Sequence, residues 1–436
     1  MAAALATDMR PTGAAVEFVD VPLEPPFVIA GRPMTHLTAA HVRLDVETAR
    51  GAATGLGATI LSVPWSWPTT DIDLETRDAV LRALVQRLSQ EVLDFAAGDP
   101  FTLWRPLYHR LDAITAEVAG ANGLSHVPRL AATLALGAVD NALHDAWSRS
   151  ADLDLYQMYT AGYLNEDLRW AHPELEGVYP GDHLGPRRST IPVQHALGVG
   201  DPLTDAEASA GTRSLAWWMT HEGVHHLKVK LEGDVSADAR RLADIHQVGT
   251  EHHDRISLSI DPNEAYREPA QLQAMLDEFE RLCPKGPATI TYLEQPFPRG
   301  YEVDPEELGA LSARVPVLID EGYTRLSQLA RLREQGWSGV VIKSAKGHGH
   351  AMVTHAVARH LGLKIAVQDL TTVGPALAHS IGLASALQPD WPHLEYNSRQ
   401  YAPGANCELA TRAPDLVTVR EGHVRVAPGR AGLYPG

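Results

Sequence analysis

From about residue 190 onward the chain repeats one unit: a short apolar run that ends in a charged residue, followed by a longer amphipathic stretch. The runs HHLKVK, ISLSID, TYLE, VPVLID and GVVIK end at Lys230, Asp261, Glu294, Asp320 and Lys343. Short apolar runs alternating with segments of helical period predict parallel β/α units, which close into a barrel whose strands end at a shared rim. The pattern predicts strands over 191–195, 226–231, 256–260, 289–293, 315–319, 339–342, 364–367 and 392–395. Between them, DVSADARRLADIHQVGTEHH and PAQLQAMLDEFERL carry helical spacing, with Asp234 and Ser236 as caps of the first. Eight strands and seven helices make a (β/α)7β barrel whose last helix is replaced by the C-terminal segment.

The chain before the barrel follows a different rhythm. VEFVDVPL, FVIA, HLTAAHVRLDVE and TGLGATILSV predict strands joined by Gly and Pro turns, as in an antiparallel sheet. Helical periodicity follows over 76–96 and 130–147. Residues 1–150 are therefore expected to form an α+β capping domain. Residues 151–189, rich in Tyr, Pro, Gly and charge, read as a long loop serving as lid or oligomer contact. The barrel spans 190–400, and residues 401–436 are expected to return to the first domain.

Length agrees with two units: 436 residues exceed one ordinary domain and suit a barrel of about 250 residues plus a smaller partner. Hydrophobic residues at 44% and charged residues at 21% predict order beyond the first dozen residues. A formal charge of −17 without a basic run argues against nucleic acid or an anionic membrane as partner. Cys283 and Cys407 alone imply no disulfide framework, and the N-terminus lacks a signal-like basic region; a soluble cytoplasmic protein, with a homo-oligomeric assembly, is expected.

The charged strand ends carry the chemistry. Asp261, Glu294 and Asp320 follow successive strands, so three carboxylates converge at one point of the rim, the donor set of a hard divalent cation. Single acids at strand ends commonly cap the next helix, but three uncompensated carboxylates side by side would repel. Glu321 competes with Asp320 for the third place, because a one-residue shift reverses the side-chain direction. Lys228 and Lys230 share one face of their strand, and Lys343 approaches from across the barrel. A dication beside such lysines lowers their pKa and readies them for proton transfer. Lys346 replaces Lys343 if the strand ends later. His348 and His350 allow a zinc reading, although histidines so placed more often occupy a loop or a helix start; His225 and His226 read as packing and solvent contact.

KVK at 228–230, DPN at 261–263, LEQP at 293–296, IDEG at 319–322 and IKSAKGHG at 342–349, with AVDNALHDAW in the first domain, together resemble the enolase superfamily and its muconate-lactonizing-enzyme branch. The resemblance implies that Asp261, Glu294 and Asp320 bind Mg²⁺. It implies that Lys230 and Lys343 are the acid/base pair and that Lys228 supports the carboxylate electrostatically. The expected reaction is removal of the proton α to the carboxylate of a small-molecule substrate, giving a metal-stabilised enediolate. Strand seven ends in QDLTT without the His of the mandelate-racemase branch, which favours a Lys–Lys site. Asn263, Asp369, Glu395 and Glu321 are candidates for substrate contact, Glu395 with a purely structural role as its alternative.

Reprotonation of such an intermediate makes a racemase or epimerase, ring opening or closure a cycloisomerase, and loss of a β-leaving group an acid-sugar dehydratase. The paired lysines favour an isomerase. A Schiff-base lyase and a non-catalytic binding barrel are the readings of another class. Specificity is expected from the entrance at 27–36 and 54–67, where Trp65 and Trp67 stack on a ligand or merely pack.

Overall fold

The computed structural model describes residues 5–29, 32–209, 211–427 and 429–434. Three long strands, β1 (Arg10–Ile29), β2 (Arg32–Thr48) and β3 (Gly51–Leu61), form an antiparallel sheet in that order. The two runs expected as separate strands before residue 30 are one strand, with register shifts at Pro11/Gly13 and Pro22/Phe27. β1 lies at the sheet edge, where prolines that cannot donate to a ladder are tolerated. Part of the expected entrance, Ala30 and Gly31, lies outside the described residues.

Three helices cover the sheet: α1 (Leu74–Glu91), α2 (Pro100–Ala121) and α3 (Arg129–Ala151). Asp73 and Asp99 cap the first two by accepting backbone N–H groups. α2 was not expected from the sequence; it carries Pro106 in its interior, which interrupts the helical signature. α3 lies directly on β3, because a side chain at Gly57 would stand 1.8 Å from the carbonyl oxygen of Ala138. Buried on nearly all sides, α3 serves the cap core with one face and the barrel with another.

The barrel strands are β4 (Thr190–Leu197), β5 (His226–Lys230), β6 (Ser257–Asp261), β7 (Ile290–Glu294), β8 (Val317–Ile319), β9 (Gly339–Lys343), β10 (Lys364–Gln368) and β11 (Leu394–Glu395). All pair in parallel in chain order, and β11 pairs with β4 to close the ring. The covering helices are α4 (Leu215–Glu222), α5 (Val235–His252), α6 (Pro269–Leu282), α7 (Pro305–Arg314), α8 (His348–His360) and α9 (Pro375–Ala386). Between β8 and β9 the expected helix is a 3₁₀ turn, Leu326–Arg331, tied down by the Gln328 side chain, which accepts from Thr324 and Arg325 N–H and donates to the Gly322 carbonyl. Among the described residues α-helices thus cover six of the seven crossovers, and the one between β8 and β9 holds a 3₁₀ turn alone.

Residues 151–189 wind through four short 3₁₀ turns, and β12 (His423–Arg425) pairs antiparallel with the outer side of β4. Beyond it, Leu433 N–H donates to Asp145 of α3 at 2.6 Å and the Tyr434 hydroxyl accepts from Ala58 N–H of β3 at 2.9 Å. Among the described residues no helix is long and apolar enough to cross a membrane.

Candidate active site

The strand ends bring the charged residues to one mouth. Lys230, Asp261, Glu294, Lys343 and Glu395 are the last residues of their strands, and Asp320 follows β8 directly. All are buried, none more than 7% exposed. A side chain charged at neutral pH survives such burial only when paired, and the pairing here is extensive.

Lys228 forms the hub one step below the rim. Its Nζ lies 2.9 Å from Glu294 Oε1, 3.0 Å from Asp261 Oδ2, 3.0 Å from Glu395 Oε2 and 2.6 Å from Gln368 Oε1. Lys230 Nζ donates to Asp261 Oδ2 at 2.5 Å. From the opposite side, Lys343 Nζ stands 3.2 Å from Asp320 Oδ2 and 3.7 Å from Glu294 Oε1. The ammonium groups therefore bridge the three carboxylates. β5 and β9 are the second and sixth of eight strands, so Lys230 and Lys343 face each other across the acids.

Asp320 and Glu321 part ways, as strand alternation demands. Asp320 meets Lys343 and Lys346, whereas Glu321 Oε1 accepts from the Trp65 indole N–H at 2.8 Å and from Asn263 Nδ2 at 3.1 Å. Lys346 is held at 3.1 Å from Asp320 Oδ1 and also donates to the Asp320 and Tyr323 carbonyls. Gln295 fixes this loop, accepting from Asp320 N–H at 2.9 Å and Gly322 N–H at 3.0 Å.

Burial and charge act on these groups in opposing senses. Burial raises Asp261, but two adjacent ammonium groups outweigh it and hold the carboxyl well below the usual range. Glu294, with one ammonium at hydrogen-bond distance and two acids nearby, is pushed up to about 8, chiefly by burial. Burial together with Asp320 and Asp261 raises Glu321 to about 7, and burial alone accounts for most of the rise of Asp369 to about 7. Lys228 and Lys343 are raised despite burial, because Asp261 and Asp320 lead their carboxylate neighbours. Lys346 is lowered, by burial first.

The cavity above the acids measures about 20 Å³, room for about one water. Its roof is Phe27, Met34 and Trp65 of the capping domain, and its wall includes Leu370, Thr371 and Asn397. The entrance residues do reach the site, and Asn397, which donates to Glu395 Oε1 at 3.0 Å, joins it without having been singled out. Its signal was slight: two residues beyond Glu395 in HLEYN. Trp67 is buried in the core instead. Asn263, Glu264, Gln295 and Thr371 adopt left-handed backbone with φ of 44°, 69°, 35° and 53°. Non-glycine residues held there cost free energy, and these four follow strands β6, β7 and β10 at the mouth.

The remaining candidates fall elsewhere. His348 and His350 begin α8 and are buried, His348 Nδ1 lying 2.8 Å from His379 Nε2 and His350 packing near Tyr108 and Tyr323, with no zinc-like trio around them among the described residues. His226 Nδ1 lies 2.7 Å from Ser257 Oγ, and His225 stacks on His253.

The donor set of Asp261, Glu294 and Asp320 is all oxygen, and Glu294 Oε2 is buried without a hydrogen-bond partner among the described residues. Both features fit a hard divalent cation such as Mg²⁺.

Muconate cycloisomerase 1 of Rhodococcus opacus is 24% identical over 435 residues, covering 99% of this chain and 95% of that one. The dipeptide epimerase of Enterococcus faecalis V583, solved with Mg and the dipeptide L-Leu-L-Tyr, superposes with a TM-score of 0.65 at 18% identity, over 97% of this chain and 99% of its own. The L-Ala-D/L-Glu epimerase of Bacillus subtilis gives 0.65 at 18% identity over 98% of each chain. At these identities the superpositions show the fold: a barrel with a capping domain. The sequence profile of the enolase C-terminal domain-like family matches residues 212–433, half of the chain. The chain belongs to the enolase superfamily, among its muconate-lactonizing and mandelate-racemase-like members.

Proposed function

We propose that this protein is a Mg²⁺-dependent isomerase that removes and returns the proton α to the carboxylate of a small molecule. The observation that carries the reading is the opposition of Lys230 and Lys343 across three buried carboxylates beneath a closed cap. Asp261, Glu294 and Asp320 would hold the cation, which supplies positive charge to the substrate carboxylate as its α-carbon loses a proton.

The chain's own residues do the rest. One lysine, as the free amine, takes the α-proton on its face; the other, as ammonium, delivers a proton to the opposite face. Lys228, bound to four side-chain oxygens, holds the acids in place and adds fixed positive charge beside them. Glu395 and Asp369 line the far wall, where they are placed to orient the substrate, and Asn263 reaches the cavity beside Asp261. Phe27, Met34 and Trp65 exclude water once the cap is closed. Two opposed bases favour racemase or epimerase; a cycloisomerase needs the same first step, and so does a dehydratase.

The test is α-proton exchange in D₂O with Mg²⁺ and a panel of dipeptides, N-acyl amino acids, acid sugars and muconate-like lactones, read by mass spectrometry. Gain of one deuterium, abolished by chelator, is the expected result. Loss of water would move the assignment to dehydratase, and borohydride trapping of substrate on a lysine without a metal requirement would overturn it for a Schiff-base lyase.

A further inference from the structure

A second donor cluster lies far from the barrel mouth. α8 starts beside the site, directly after the β9 exit loop, and its 13 residues carry the chain about 20 Å away to His360 at its C-terminal end. There the segment 151–189 crosses the barrel wall, and its 3₁₀ turn Pro173–Leu175 presents Glu174 with His172 just before it.

His172, Glu174 and His360 each offer a ligand atom, and these atoms all lie within 4.8 Å of one another. His360 Nε2 is 2.9 Å from Glu174 Oε2, and the two imidazole centroids are 5.2 Å apart. Two ligands bound tetrahedrally at about 2.0–2.1 Å stand roughly 3.4 Å from each other, so the cluster needs only a small contraction to close on an ion. A further histidine stands by: His183, on the turn Pro180–His183, has a buried Nε2 without a partner among the described residues and lies close enough to His360 for their charges to interact. The C-terminal end of α8 also carries the negative pole of the helix, which favours a cation. Arg359 next to His360 opposes it, from an exposed and therefore screened position.

We propose that His172, Glu174 and His360 form a divalent transition-metal site of the Zn²⁺ class, which clips the 151–189 segment to α8. Ligand type separates it from the mouth: two imidazoles and one carboxylate suit Zn²⁺, Co²⁺ or Ni²⁺, whereas three carboxylates suit Mg²⁺. Coordination replaces the His360–Glu174 hydrogen bond.

The experiment titrates Zn²⁺ by calorimetry, and Co²⁺ by visible absorption, into the full chain kept in millimolar Mg²⁺ so that the carboxylate cluster is satisfied. One equivalent of Zn²⁺ with micromolar affinity is expected, with a tetrahedral Co²⁺ spectrum and slower proteolysis of the 151–189 segment. His360→Ala and His172→Ala should each weaken binding at least tenfold and lose the Co²⁺ band, and His183→Ala should weaken it less. No uptake by the wild type overturns the site, as does undiminished uptake by both H360A and H172A. Failure of the α-proton assay leaves this result untouched, since neither variant reaches the barrel mouth.

Discussion

Trp65 of the capping domain donates its indole N–H to Glu321 of the barrel at 2.8 Å, in a contact sealed from solvent. The bond places a cap residue against the neighbour of the third acid. Arg299 braces it from below, donating to the Trp65 carbonyl at 3.0 Å while paired with Glu264. Trp65→Phe keeps the packing and removes the donor. A buried carboxylate losing one partner costs about 1–3 kcal/mol, so the variant should unfold at lower urea concentration and turn over more slowly. Unchanged values on both counts would show the contact to be incidental.

Lys230→Ala and Lys343→Ala should each lower kcat about 10²–10⁴-fold, the usual contribution of a positioned acid or base, with far-UV circular dichroism unchanged. Each variant should retain α-deuterium exchange with one enantiomer and lose it with the other. Wild-type exchange of both enantiomers by Lys343→Ala would remove that lysine from the mechanism.

Glu294→Gln tests the cation site through binding. Changes among residues merely supporting metal ligands cost about 10–100-fold in affinity, and loss of a ligand should exceed that in a Mg²⁺ titration followed by calorimetry. Equal Mg²⁺ affinity in wild type and variant would place the ion elsewhere.

Acid should unfold the protein through its histidines. Burial holds His350, His355 and His379 down to about 3, against about 6.5 in an unfolded chain. Between those values the unfolded state binds more protons, so stability is complete above pH about 6.5 and falls as pH drops toward 3. Each histidine contributes about 1.4 kcal/mol per pH unit in that window, and three together exhaust an ordinary stability of about 5–15 kcal/mol within a few units. Urea midpoints at pH 7.5, 6 and 5 should decline steadily; a flat series would contradict the buried neutral state.

Gly57→Ala should be costly although it adds one carbon. The methyl would meet the backbone of α3, which cannot swing aside as a side chain can. Overpacking of this kind costs about 1–3 kcal/mol, measurable as a lower urea midpoint, whereas alanine at Gly120, with nothing within 4 Å, should leave the midpoint unchanged or raised.

The barrel was legible because most of its strands are apolar runs closed by a polar residue, so Lys230, Asp261, Glu294 and Lys343 mark both the strand ends and the site. The sequence could not choose between Asp320 and Glu321, since that depends on which side of the chain faces Lys343. Helix α2 stayed hidden behind Pro106, and β1 was divided by prolines that only an edge position makes harmless. The roof over the acids was half legible: Trp65 was visible as an aromatic in a turn-rich stretch, yet its bond to Glu321 spans 256 residues and leaves no local trace. Asn397 and the Arg299 brace were invisible for the same reason.

The contacts of Leu433 and Tyr434 with α3 and β3 bear on how the chain matures during synthesis. The cap emerges from the ribosome first, yet two of its hydrogen bonds wait for residues made more than 280 positions later. These two fastenings of β3 and α3 therefore close only after the barrel has been made, so that the tail ties the first domain down last.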